Sequence, residues 1–164
     1  IDSSKITLND LWKFNSLGNF TLIQSEDKKK ISKKNFRIVS KKKPNKSQLD
    51  NLMFAFNVCR YTKSNAIVLA SNKSTIGIGS GQPSRLDNCE IAINKMNKFS
   101  KTKNEIVAAS DAFFPFVDGI EKLVQSGASA IVQPAGSIRD KEIIKFANET
   151  NTVLVFSKTR HFRH

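Results

Sequence analysis

The chain predicts a three-layer α/β domain, and three observations carry that expectation. From Pro44 onward, strand-like and helix-like segments alternate with short connections. Ala66-Ile67-Val68-Leu69-Ala70 is apolar at every position, which suits a strand buried on both faces. The breaks carry turn chemistry, as in Asn72-Lys73-Ser74 and at Gly127, where glycine ends a helix in the usual C-terminal manner.

A length of 164 residues is enough for one domain with a real core, with or without an appendage. No apolar run approaches membrane-spanning length and the N-terminus has no signal-peptide pattern, so no membrane partner is expected. The chain opens on Ile1, which reads as a processed, trimmed or partial product. Cys59 and Cys89 lie inside helical patterns without CxxC spacing. They read as reduced core residues of a cytoplasmic protein, with neither a zinc cluster nor a disulfide framework.

The net charge is +13, yet ten bases and no acid fall within residues 28–46, and without those ten the excess drops to +3. The charge is a local run with only Phe36 available for base stacking, so a solvated linker is expected and no nucleic-acid partner.

Taken in order, residues 1–46 read as an N-terminal extension and basic linker with short strands, and 47–164 as the α/β body. In the extension Trp12, Phe14, Leu17, Phe20, Leu22 and Ile23 are apolar without clear period. Phe20–Gln24 and Phe36–Val39 are strand candidates, and the section is expected to pack against another domain. Asn45 and Ser47 then offer caps to a helix carrying Leu49, Leu52, Met53, Phe56 and Cys59 at helical spacing. The strand 66–70 follows, with 75–78 returning beside it. Ser84–Phe99 reads as a helix with Leu86, Cys89, Ile93 and Met96 inward. Ile106–Ala109 is a strand, 119–125 a helix, Ala130–Gln133 a strand, Asp140–Glu149 a helix and Val153–Phe156 the last strand.

Three turns and the tail carry the candidate chemistry. Ser110-Asp111-Ala112-Phe113-Phe114-Pro115-Phe116-Val117-Asp118 joins a strand to a helix with three phenylalanines and a proline between aspartates, where small polar residues are usual. Pro115 forbids helix there, leaving a stiff loop that presents flat apolar rings beside carboxylates; the alternative is that the rings plug the core. Gly77-Ile78-Gly79-Ser80-Gly81-Gln82-Pro83-Ser84-Arg85 also joins a strand to a helix. Its glycines would let a ligand approach the backbone, the helix N-terminus favours an anion, and Arg85 offers a planar donor fork. It fits neither the P-loop nor the dinucleotide fingerprint, and a glycine-rich turn with a surface arginine is the plain alternative. Gly136-Ser137-Ile138-Arg139-Asp140 is a similar turn, and Arg160-His161-Phe162-Arg163-His164 is a basic tail leaving a strand directly. Asn65, just before the buried strand, reads as a turn residue.

Together, Ser64-Asn65-Ala66-Ile67-Val68, Gly77 to Gln82, Ser110 to Asp118, Gly136 to Asp140 and the terminal Arg-His-Phe-Arg-His resemble AICAR transformylase, the formyltransferase part of a bifunctional purine-biosynthesis enzyme that is also an IMP cyclohydrolase. The resemblance runs from about Phe20 to His164, and Ser-Asp-Ala-Phe-Phe-Pro-Phe is its most specific part. It implies a cytidine-deaminase-like α/β/α domain with a mixed sheet, the second of two in the transformylase, with sites at a homodimer interface. It implies formyl transfer from 10-formyltetrahydrofolate, as co-substrate, to the AICAR nucleotide. By position, Asn65, Arg85, Phe113 and Arg160 would contact the nucleotide, with His164 near its phosphate end. Leu86, Asp118, Ser137 and Ile138 would contact the folate, and Asn65 would support catalysis near the reacting centre. A structural potassium ion would map to oxygens of Cys59, Thr62, Ser64, Ala66, Asp111 and His161. The family's general base lies in a Lys-His-x-x-Pro-Cys-Gly motif that this sequence lacks, while Val117 and Pro83 depart from the usual residues. The chain is therefore expected to be inactive alone and to need the missing N-terminal half. The alternative is a non-catalytic nucleotide- and folate-binding split subunit that needs a partner chain.

Overall fold

The structure, a computed structural model, describes residues 12–100 and 104–164. It divides into two bodies: residues up to Lys30 with His164, and Ile31–Arg163.

The first body contains a hairpin of β1 (Trp12–Leu17) and β2 (Phe20–Ser25), closed by a two-residue turn with Gly18 at φ +61°. The strand expected over 20–24 is present, while β1 had no periodic signature. The register supplies the reason. Trp12, Phe14 and Ile23 share one face, whereas Leu17, Phe20 and Leu22 share the other, so the apolar positions change phase along the strand. All six side chains are exposed, Phe20 most of all at 78%. The part of the N-terminal extension that precedes Trp12 lies outside the described residues.

The second body begins with β3 (Phe36–Ile38), after a 3-10 turn at Lys33–Asn35. Then follow α1 (Lys46–Cys59), β4 (Ala66–Ser71), β5 (Ser74–Ser80), α2 (Arg85–Phe99), β6 (Val107–Ser110), α3 (Asp118–Gln125), β7 (Ala130–Pro134), α4 (Asp140–Glu149) and β8 (Val153–Ser157). The strands form one mixed sheet in the order β3-β8-β7-β6-β4-β5. β6, β7 and β8 are parallel, and β3, β4 and β5 are each antiparallel to their neighbours.

Period-2 alternation sorts the sheet into two cores. Ile67, Leu69, Ala108, Ile131 and Leu154 face one side, with Cys89, Ala92 and Met96 of α2, Ile120 and Leu123 of α3 and Ile143 of α4. Val68, Val107, Ala109, Val132 and Val155 face the other, under Leu52, Ala55, Phe56 and Cys59 of α1. This is the three-layer α/β/α arrangement. Every residue of β4 is buried, in accord with its unbroken apolar run. The caps follow from sequence: Asn45 Oδ1 accepts from the Gln48 N–H at 2.7 Å while Gln48 Oε1 accepts from the Asn45 N–H at 3.1 Å, a reciprocal capping box for α1. Ser84 Oγ accepts from the Asp87 N–H at 3.3 Å at the start of α2.

Both cysteines are buried and free. Burial pushes the Cys59 thiol well above its usual range and the Cys89 thiol up to about 12. At about pH 8 a thiol with a pKa of about 12 is thiolate in roughly one molecule in ten thousand. The folded chain is therefore expected to take up no alkylating reagent over hours near that pH and to take up two equivalents once denatured, read by intact mass. Rapid labelling of either cysteine under native conditions would contradict this burial.

Candidate functional site at the carboxyl edge of the sheet

The parallel strands β6, β7 and β8 end at one edge of the sheet. The pairing of Ile67 with Ser110 and of Ala66 with Ser80 brings the start of β4 and the end of β5 to that same edge. Asn65, the turn 80–85, the loop 110–118, the turn 134–140 and the segment 158–163 thus share the edge where α/β sheets bind ligands.

A buried polar network lies at its centre. The Arg85 side chain is 9% exposed and that of Asp111 is fully buried. Arg85 Nη1 donates to Asp111 Oδ1 at 2.5 Å and to Ser110 Oγ at 2.8 Å, and Nη2 donates to Asn65 Oδ1 at 2.7 Å. Asn65 Nδ2 donates in turn to the carbonyls of Gln82 at 3.1 Å and Pro83 at 2.9 Å. Ser64 Oγ donates to Asp111 Oδ2 at 2.6 Å and accepts from the Arg163 N–H at 3.2 Å. The Ser64 N–H donates to the Arg163 carbonyl at 3.0 Å, and the His161 N–H donates to the Asp111 carbonyl at 3.0 Å. The Ser64–Asn65 peptide bond is cis. A charge pair removed from water persists only when its partners and remaining hydrogen-bonding groups are supplied by the fold, as here.

The aromatic loop divides its rings between two tasks. Phe114 is 1% exposed, and its N–H donates to Gln133 Oε1 at 3.3 Å. A Cβ on Gly119 would lie 2.7 Å from the Phe114 ring, so this ring does plug the core. Phe113 is half-buried, with the Arg160 guanidinium carbon 5.4 Å from its ring centre. Phe116 is 52% exposed, with the Arg139 guanidinium carbon at 4.9 Å. Asp118 opens α3, exposed, its Oδ1 accepting from the Gly119 N–H at 2.6 Å.

In the turn after β7, both oxygens of Asp140 reach back to the N–H groups of Gly136 at 2.9 Å and Ser137 at 3.2 Å. Ser137 Oγ accepts from the Arg139 N–H at 3.2 Å. This turn holds Ile138 out in solvent, fully exposed at its tip. Leu86 is half-buried at the start of α2.

Among the expected site residues, Ser64, Asn65, Ala66, Arg85, Asp111 and His161 are joined through hydrogen bonds, and Phe113 stands against Arg160. The His161 side chain is core, its ring 4.7 Å from that of Phe56. Cys59 and Thr62 lie at the end of α1, the Cys59 carbonyl accepting from the Thr62 N–H at 3.1 Å. His164 belongs to the hairpin body: its N–H donates to Gln24 Oε1 at 3.1 Å and its carbonyl accepts from Asn15 Nδ2 at 3.1 Å.

The glycines of β5 serve another purpose than the one expected. A Cβ on Gly77 would lie 2.1 Å from the Ala92 carbonyl oxygen, and one on Gly79 would lie 1.9 Å from that of Asn88. The backbone that comes close is helix α2, not a ligand. Ser110 and Gln133 carried no sequence signal for their roles; only the strand order sets Ser110 beside Arg85. Among the described residues, no group of three His, Cys, Asp or Glu side chains could hold a metal, and no helix is long and apolar enough to cross a membrane.

The profile of the AICARFT/IMPCHase bienzyme family matches residues 2–95. A bifunctional purine biosynthesis protein PurH of Polynucleobacter asymbioticus is 45% identical over 151 residues, covering 92% of this chain and 29% of that relative. One of Leptospira biflexa is 48% identical over 149 residues, covering 91% of this chain and 29% of its own length. The chain thus spans a little under a third of these relatives.

Proposed function

The chain belongs to the AICARFT/IMPCHase bienzyme family, and on that premise we propose that its carboxyl-edge site takes part in formyl transfer from 10-formyltetrahydrofolate to the amine of AICAR. The observation that supports this best is the juxtaposition of a ring face backed by a cation, Phe113 with Arg160, and a buried donor network, Asn65 with Arg85, at one sheet edge. A flat base can lie against the ring, while cations suit a phosphate or carboxylate. Exposed Asp118 and Ile138, with half-buried Ser137 and Leu86, would offer the folate a carboxylate for pterin N–H donors and apolar area for its rings.

In the reaction the amine attacks the formyl carbon and gives a proton to a base, the tetrahedral oxyanion collapses, and the C–N10 bond breaks as N10 takes up a proton and tetrahydrofolate departs. Asn65 would help orient the reacting centre from its fixed place beside Arg85. The proton needs a positioned base. His161 is core, so that base is proposed to come from the Lys-His motif of the missing half, on a homodimeric enzyme. The family's potassium ion suits the oxygens nearby: Thr62 and Ser64 hydroxyls and the carbonyls of Cys59, Ala66, Asp111 and His161 are hard donors, and each carbonyl that accepts one N–H keeps a second lone pair. Bound there, the ion would supply structural charge compensation.

The test is calorimetric titration of AICAR into the chain, alone and mixed with a polypeptide carrying the Lys-His half, beside a formyl-transfer assay. Expected are no transfer by the chain alone, transfer on mixing, and about tenfold or greater loss of AICAR affinity in Phe113→Ala or Arg160→Ala. Transfer by the chain alone would remove the need for an outside base, and no AICAR binding in either format would overturn the proposal. Binding without transfer on mixing would favour a non-catalytic binding subunit.

A further inference from the structure

We infer that Asp111 is a positioning residue for Asn65, acting through Arg85. The Asn65 carboxamide is locked at both ends. Its oxygen accepts from the Arg85 fork, and its two amide hydrogens serve the successive carbonyls of Gln82 and Pro83. Turning it over would set an NH2 group against a guanidinium and an oxygen against two carbonyls, so Arg85 fixes which face of Asn65 is presented. Arg85 is itself held from below: both Nη1 hydrogens are committed, one to Asp111 and one to Ser110. Each polar group of Asp111 is engaged: its carboxylate oxygens with Arg85 and Ser64, its N–H with the Ala66 carbonyl at 3.2 Å, its carbonyl with the His161 N–H. Asp111 therefore ties the start of α2 and Ser64 to its carboxylate, and the start of β4 and the C-terminal segment to its backbone, all at the end of β6. With Arg85 9% exposed and Asp111 fully buried, water cannot take the place of a lost partner.

The geometric claim stands without any ligand; only its consequence for catalysis rests on the function proposed above. The experiment follows the side-chain amide hydrogens of Asn65 by 15N–1H NMR in the purified chain, with backbone amide protection of β4 and β6 as the measure of fold. Arg85→Lys keeps a cation for Asp111 but lacks the fork that reaches Asn65. It is expected to speed solvent exchange of the Asn65 side-chain hydrogens about tenfold or more while the strands stay protected. Asp111→Asn is expected to do the same where it folds, and Arg85→Lys decides the matter where it does not. Ser64→Ala, which leaves Arg85 on Asp111 Oδ1, is expected to change that exchange by less than about twofold. Unchanged exchange in Arg85→Lys, or equal acceleration in Ser64→Ala, would overturn the inference. AICAR affinity on the same samples separates the two readings: released Asn65 with unaltered affinity and unaltered transfer on mixing would leave the positioning intact and sink the role given to Asn65.

Discussion

Phe114→Ala is expected to cost about 3–5 kcal/mol of stability, while Phe116→Ala is expected to stay within about 0.5 kcal/mol of the unsubstituted chain. The two rings are two residues apart in one loop and have equal chemistry, so only their placement separates them. Phe114 is 1% exposed and packs with Ile120, Leu123 and Ile131 in the core under α3. Its removal leaves a cavity bounded by the sheet, and Gly119, whose absent side chain makes room for the ring, would face a void. Phe116 is 52% exposed and lies against the exposed Arg139 guanidinium, so its removal opens no enclosed cavity. Urea unfolding followed by circular dichroism reads both through the midpoint at constant slope. Similar midpoints for the two variants would mean that the loop does not divide its rings this way.

That division illustrates where sequence reasoning reached and where it stopped. Pro115 and the surrounding phenylalanines marked the loop, but both uses of an aromatic ring, filling a core and facing a ligand, leave the same signature in one dimension. Helices and buried strands were legible because their signals repeat. The helix expected over Asp140–Glu149 has those bounds, and the one expected from Ser84 begins one residue later, with Ser84 as its cap. β1 escaped because its apolar residues change face between Phe14 and Leu17, which erases the period-2 pattern. The ion pair of Arg85 with Asp111 spans 26 positions and was illegible for another reason. It exists because β4 lies between β5 and β6, so the turn leading to α2 and the end of β6 flank the same residue, Asn65. Residue types at the edge could be listed from sequence; which of them touch is a property of strand order.

Gly79→Ala is expected to destabilise the domain by about 3 kcal/mol or more, beyond the usual cost of an added methyl group. In the sequence, Gly77 and Gly79 suited close approach by a ligand, with a glycine-rich turn as the plain alternative. The geometry decides in favour of the helix. Gly77 and Gly79 project to the same side of β5, and they meet the carbonyls of Ala92 and Asn88, one helical turn apart on α2. Two strand residues advance about 6.6 Å and four helix residues about 6 Å, so helix and strand stay in step along the contact. A methyl group 1.9 Å from a carbonyl oxygen cannot be absorbed by a rotamer change, because the obstacle is backbone. The whole helix must withdraw from the strand, and Arg85 at its first turn withdraws with it. Loss of stability should therefore be joined by faster exchange of the Asn65 side-chain hydrogens in the fraction that remains folded. Gly136→Ala supplies the comparison: nothing lies within 4 Å of its added Cβ, and only the strained φ of +113° opposes it. Its expected cost is smaller, about 1 kcal/mol. A Gly79→Ala midpoint no lower than that of Gly136→Ala would show that α2 does not rest on β5 as closely as this packing requires.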